Sequence, residues 1–254
     1  MQLLSQYIQG FLAEPNLSRN ELGQLLLDTR AGWDVIAGQN PVDAFEGFVD
    51  RYNWLGTPAN KVTYNITQNL ARNLPGAMMQ DYLIHLVLRT LVGKPPIDVF
   101  TEVRVGFGSY PLWDHAAVTV TSPAQVADVA VGYKFVNGVA APPVDPNPRA
   151  AISVLLPGES VVPLIVINSK IRVSQSEFFD WLGRDQLLAK GYPSCLSLQA
   201  ALRAEMDLKI VEAAQASDKF FLLGHGGEAN VVPDPGVLAG LVQIVESHLA
   251  KHLL

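Results

Sequence analysis

Val161-Val162-Pro163-Leu164-Ile165-Val166-Ile167-Asn168-Ser169-Lys170 is the stretch on which the fold turns. From Val161 to Ile167 no polar side chain interrupts it, and β-branched residues dominate, as a pleated strand prefers. The run is far short of the ~20 residues that cross a bilayer. A strand without a polar face is buried on both sides, which places it at the centre of a sheet covered by helices.

Upstream, Val99 to Phe107, Ala116 to Thr121 and Val126 to Phe135 are rich in Val, Thr, Phe and Tyr and read as strands. Asn137 to Arg149 holds four prolines and reads as a loop; Ala151 to Leu156 reads as another strand and Pro157-Gly158 as a turn. Earlier still the period is helical. Leu3, Leu4, Ile8 and Leu12 recur at helical spacing, Ser18 and Glu21 form a capping-box pattern before Thr29, and Ala44 to Tyr52 continues the series. The strongest helix is expected over Ala77 to Val92, ended by Gly93 and Pro95-Pro96. Downstream, a helix over Glu177 to Lys190 is capped by Ser174 or Ser176. Another is expected over Leu198 to Ala216, then a strand over Lys219 to Leu223, a turn at Gly224-His225-Gly226-Gly227, and a last helix from Gly236. The order predicts an α/β fold: a mixed central β-sheet flanked by helices, with a helical N-terminal part over 1–76 and the α/β core over 77–254.

The chain has 254 residues, 49% hydrophobic and 17% charged, which supplies a large core and excludes a disordered chain. Cys195 is the only cysteine, so neither an internal disulfide nor a zinc site of several thiolates is available. The net charge is -6, and residues 1–60 set seven acids against Arg19, Arg30 and Arg51 alone. A polyanion would therefore have to meet a local basic surface. No charged segment followed by an apolar one opens the sequence, so the expectation is a soluble intracellular protein.

Asp128 interrupts the apolar series Val126-Ala127-Asp128-Val129-Ala130-Val131. A carboxylate there is costly unless a cation meets it. Lys170 ends the apolar strand, and if the two strands are neighbours both side chains point to one place. A carboxylate that holds a divalent cation, beside a lysine that orients water at a phosphate, makes a metal-dependent phosphodiesterase. The bland alternatives are an Asp128 paired with Arg104 or Lys134, and a solvated Lys170.

An Asp on one strand, an apolar strand Val-Pro-Leu-Ile-Val-Ile ending in x-x-Lys, then a polar turn and a helix: over about residues 77 to 223 this resembles the PD-(D/E)XK nuclease superfamily, and within it the type II restriction endonucleases. Asn168 to Glu177 is similar to a subset with a small polar residue where the glutamate usually stands. The resemblance implies a restriction-endonuclease-like core, with Mg²⁺-dependent, sequence-specific cleavage of double-stranded DNA leaving 5′-phosphates. It also implies a homodimer on palindromic sites and a prokaryotic, cytoplasmic setting. Asp128 would bind the metal and Lys170 would act on the water. Asn168 stands where an acid is usual, as a neutral ligand; Glu177 is a candidate migrated carboxylate, with Asp180 and Glu102 behind it. Glu177 is equally a helix N-terminal acid favoured by the dipole. Without its acid the chain would be an inactive, DNA-binding relative. Arg172, Ser174, Gln175 and Ser176 in the turn, with Arg184, Gln186 and Lys190 on the next helix, are candidate DNA contacts; a solvated helix face explains Arg184 and Lys190 as well.

Rival chemistry is thinner. Asp114-His115 are strand neighbours that point to opposite faces, and with His225 they offer a small-molecule hydrolase as a third reading. Gly224 to Glu228 resembles an anion loop but lacks the P-loop ending.

Overall fold

The computed structural model describes residues 8, 9, 24, 26, 27, 29, 40–91, 97–105, 109–111, 119–121, 125–136, 139–141 and 160–253. Leu3, Leu4, Leu12, the Ser18–Glu21 box, Gly93, Pro95-Pro96, Asp114-His115, the Ala151–Leu156 strand and the Pro157-Gly158 turn lie outside them.

Between Asn40 and the sheet lie α1 (Pro41–Gly56), α2 (Pro58–Thr63) and α3 (Gln68–Thr90); Ile8, Gln9, Gln24, Leu26, Leu27 and Thr29 are helical as well. α1, α2 and α3 each start where a side chain takes up free amides. Asn40 accepts from Val42 and Asp43, Thr57 from Asn60, and Thr67 from Leu70. α3 starts at Gln68 rather than Ala77, because Pro75-Gly76 does not break it. Proline inside a helix removes the bond to the carbonyl four residues back and costs about 3 kcal/mol. Leu70, Leu74, Met78 and Met79 are all 1% exposed or less, and each such burial contributes roughly 1.5–3 kcal/mol. Burial wins, and the helix runs through.

Among the described residues ten strands follow, in part the expected ones: β1 (Asp98–Val105), β2 (Ser109–Pro111), β3 (Thr119–Thr121), β4 (Gln125–Val136), β5 (Val139–Ala141), β6 (Ser160–Ser174), β7 (Leu196–Glu205), β8 (Phe220–Leu222), β9 (Gly224–His225) and β10 (Val232–Pro233). The main sheet runs β5-β4-β1-β6-β7-β8, with β4 also bonded to β6. β4 is antiparallel to β1, β5 and β6, whereas β6, β7 and β8 are mutually parallel, so the sheet is mixed. Part of the expected Asn137–Arg149 loop is strand: Val139–Ala141 pairs antiparallel with Lys134–Val136 of β4.

Leu196–Glu205 is a strand, correcting the helix expected over Leu198 to Ala216; only Leu208–Gln215 (α5) is helical there. Leucine and alanine favour helices by a few tenths of a kcal/mol each. Leu198, Ala200, Ala201 and Leu202 are fully buried between the sheet's two helical coats, where small side chains pack and tertiary burial decides.

The central position of β6 is as expected. Ile165 and Ile167 pack with Val129, Val131, Leu198 and Leu202 against Phe45 and Phe48 of α1, Leu83 and Leu86 of α3, and Leu238 and Leu241 of α6 (Pro235–His252). Val161 and Val166 face the other way, with Phe100, Ala130 and Leu188 of α4 (Gln175–Gly191). Among the described residues no helix is long and apolar enough to cross a membrane.

Candidate active site

The ladder between β4 and β6 ends at Val129 and Ile167. One step further, Asp128 Oδ2 accepts the backbone N–H of Ser169 at 2.6 Å and its hydroxyl at 3.1 Å. The carboxylate that looked costly in sequence is thus held by two donors at a fork between strands. Such bonds to a charged acceptor are roughly twice as strong as neutral ones. Lys170 follows Ser169 and is exposed.

On the other side of β4, β1 pairs at Thr101–Val129 and Val103–Ala127, and the position between, Glu102 opposite Asp128, is skipped. Glu102 has φ 47°, in the left-handed region that side chains avoid. Its backbone departs from the strand where Asp128 leaves the β6 ladder.

These residues open onto a cleft of about 1070 Å³. Glu102, Asp128, Ser169, Lys170, Arg172 and Glu177 line one side, and Asn69, Arg72, Asn73, Gly76 and Gln80 of α3 line another. Lys61, Arg203 and Glu228 also reach it. The opposite charges of the rim are partly spent on one another: Lys61 bonds Glu228 at 2.8 Å, and both Arg172 (3.3 Å) and Arg203 (2.9 Å) meet Glu205. The Lys61 bond holds the Glu228 carboxyl below its ordinary range.

Glu177 is placed by a capping box. Its Oε2 accepts from the Ser174 amide at 2.9 Å and hydroxyl at 2.8 Å, while its own amide donates to Ser174 Oγ. Burial pushes its carboxyl up, but the Ser174 donors and the Lys170 and Arg72 cations outweigh burial and hold it below the ordinary range. The helix-cap role expected for Glu177 is therefore present, and its carboxylate also feels Lys170 and Arg72 of the cleft.

The structure brings Asp128, Lys170, Glu177, Glu102 and Arg172 to one place. Asn168 is half-buried opposite Gln199 of β7 and does not line the cleft with Ser169 and Lys170. Ser174 and Ser176 are 3.2 Å apart at the start of α4, with Gln175 exposed between them. Arg184 and Gln186 are exposed further along α4, outside the cleft lining, and Arg184 bonds Asp180 at 2.7 Å. Sequence reasoning missed the α3 wall, because Gln68 to Gly76 was not read as helix; the polar series Asn69, Arg72, Asn73 at helical spacing was its only signal.

Of the glycine-rich segment expected to be a turn, Gly224-His225 is β9, and the turn to β10 begins at Gly226. Gly226 has φ 115°, and Gly227 donates its amide to Asn230 Oδ1 at 2.7 Å, so that N–H is already occupied. Asn53 of α1 clamps the turn with two 2.8 Å bonds to Val231. The sequence reading finds the histidines scattered, with no His-x-x-x-His pair; His248 and His252 correct it, standing four apart on α6 with ring centroids 4.4 Å apart. Burial and then His252 lower the His248 pKa, and its Nε2 lies 3.1 Å from the Leu164 carbonyl. Burial pushes the Cys195 thiol up to about 12, as expected of an inert side chain.

Neither a protein-family model nor a curated protein matches the sequence. Among solved structures, the chain is similar to one described as "native BbvCI A2B2 tetramer at low resolution". The TM-score is 0.57 at 10% identity, over 98% of each chain. The likeness spans the whole chain and shows the fold: a restriction-endonuclease-like α/β core with a helical N-terminal region.

Proposed function

We propose that the protein is a Mg²⁺-dependent endonuclease that cuts double-stranded DNA at a short specific sequence. One observation supports this above the rest: Asp128, anchored on Ser169 at the strand fork, opens onto the same cleft as Lys170.

Mg²⁺ keeps several waters and takes one or two carboxylates beside substrate phosphates. Among the described residues no three His, Cys, Asp or Glu form a cage. The donor set suits that modest demand: Asp128 as the principal ligand, with Glu102 on β1 as second carboxylate and Glu177 as the alternative, while Asn168, the other candidate of the motif, lies outside the cleft. When bound, the ion supplies Lewis-acid stabilisation of charge on the phosphate. Lys170 donates to the attacking water and then to the phosphoryl oxygens as they gain charge. Glu177, fixed by its cap, orients the Lys170 ammonium. Water adds across the P–O3′ bond, its hydroxyl to phosphorus and its hydrogen to O3′, leaving a 5′-phosphate and a 3′-hydroxyl. Arg172 and the Ser174–Ser176 turn reach toward DNA beside the cleft, with Arg184 and Gln186 contacting a longer duplex. A palindromic site would match a two-fold homodimer, and the setting would be the cytoplasm of a prokaryote.

Asn168, in place of the usual acid, favours a second reading: a DNA-binding relative that does not cut. Purified protein incubated with phage DNA in Mg²⁺ or EDTA, beside Lys170→Ala and Asp128→Ala, decides between them. Discrete fragments that need Mg²⁺ and vanish in both variants are expected. Intact DNA across metals, with binding retained, supports the inactive relative. Cutting by Lys170→Ala equal to the parent overturns the placement of the site.

A further inference from the structure

Gly76 is a glycine without a structural reason. It lies inside α3, where glycine is the poorest residue after proline. A Cβ built there meets nothing within 4 Å. Gly132 and Gly224 differ, since a Cβ would strike backbone at 2.3 and 2.9 Å respectively. Packing thus leaves residue 76 free to carry a side chain, and α3 would be more stable with one. Gly183 of α4 is equally open but faces outward, away from the cleft. Gly76 instead lines the cleft, together with Lys170 and Asp128. The use left for a bare backbone there is the close approach of a ligand.

The groups around it name the ligand's chemistry. Asn69, Arg72 and Asn73 precede Gly76 and Gln80 follows it on the same helix face at three- and four-residue steps, and all line the same cleft. Among the described residues no hydrogen bond occupies the Asn69, Asn73 or Gln80 amides. Three amides and a guanidinium are donors to phosphate oxygens, and contacts of this kind position a nucleic-acid backbone without reading its sequence. The Arg72 charge is felt at Glu177, so the guanidinium lies within electrostatic reach of the Lys170 side of the cleft.

We infer that the α3 wall at Gly76 is where the sugar–phosphate backbone of a DNA strand lies against the protein, with Arg72 on a phosphate and Asn69, Asn73 and Gln80 alongside. The inference rests on the reading of the protein as a DNA-acting one.

The test measures fluorescence anisotropy of the full chain on a pool of randomised duplexes, in Ca²⁺ to avoid cutting, with a thermal melt of each variant. Gly76→Ala and Gly183→Ala are both expected to raise the melting temperature. Only Gly76→Ala weakens DNA binding, by a few-fold, and Gly76→Leu weakens it more than tenfold. Arg72→Ala lowers affinity on all sequences alike and reduces the slope of log K against log salt by about one. If the parent binds duplex and the Gly76 and Arg72 variants bind equally well, the α3 wall is not the grip, while the proposed function stands. If the parent binds no duplex at any salt concentration, the proposed function itself fails, and this inference with it.

Discussion

Glu102→Gly is expected to make the metal-free protein more stable and nearly blind to Mg²⁺. At φ 47° an L residue carries a steric cost of about 1–2 kcal/mol that glycine does not. Glu102 also stands opposite Asp128 across β1 and β4, and like charges facing each other across a strand pair add about 0.2–1 kcal/mol. Against this, glycine in a strand gives back about 0.5–1 kcal/mol in chain entropy. The side chain is exposed, so its removal forfeits little burial. The balance is a gain of about 1 kcal/mol, or about 2–4 °C in Tm for a chain this long. Added Mg²⁺ should raise the parent's Tm further, because a ligand at 100 times its Kd contributes about 2.7 kcal/mol. Glu102→Gly and Glu102→Gln should keep only a small part of that rise. Differential scanning calorimetry with a Mg²⁺ series reads both effects. A metal-free Glu102→Gly that melts below the parent refutes the strain argument. A full Mg²⁺ shift in both variants removes Glu102 from the metal.

Asp128→Asn keeps an oxygen for the Ser169 donors but makes two charge-assisted bonds neutral; stability should fall by about 1 kcal/mol in a urea titration while DNA cutting disappears. Lys170→Ala changes an exposed side chain, so the same titration should move by less than about 0.5 kcal/mol. Single-turnover cleavage should drop by about 10²–10³, as for loss of one transition-state donor. For Glu177, the folded carboxyl is held below its ordinary value of 4.5. The stabilisation is complete above pH 4.5 and is lost as pH falls through the lower folded value, so the parent should weaken over that window and Glu177→Gln should not. At pH 7 the same variant keeps an acceptor for the Ser174 amide but loses the charge at the helix N-terminus, at about 0.3–1 kcal/mol. A Glu177→Gln melt with the parent's slope in that acid window would show that the carboxyl is not the titrating group.

β6 was legible because a run with no polar face has one physical solution, a strand covered on both sides, and Ile167 and Val166 do face opposite cores. The capping box Ser174–Glu177 was legible for a related reason: it is a local bond between residues three apart. β7 was not, because Leu196–Glu205 holds helix formers whose conformation is set by a partner strand and two helices remote in sequence. The start of α3 failed in the same way, since the burial of Leu70 and Leu74 that overrides Pro75 depends on α1 and the sheet.

The candidate site divides along the same line. Asp128 and Lys170 stood out because each breaks an apolar run, and a polar residue in such a run has to meet something. Glu102, Arg72 and Gly76 break no pattern. Their importance lies in a backbone torsion, a distance across a cleft and an empty volume, none of which a local window contains. That asymmetry bears on the missing acid at position 168. Replacing it with asparagine removes a charge from β6, and on the sequence alone the site looks disabled. In the folded chain Asn168 is half-buried and faces Gln199, whereas a carboxylate that carries a backbone penalty stands opposite Asp128 on the neighbouring strand. Strained non-glycine residues of this kind persist where the surrounding structure over-determines them, and they cluster at working sites. The second carboxylate is therefore better sought at Glu102 on β1 than at the position where the motif would have put it.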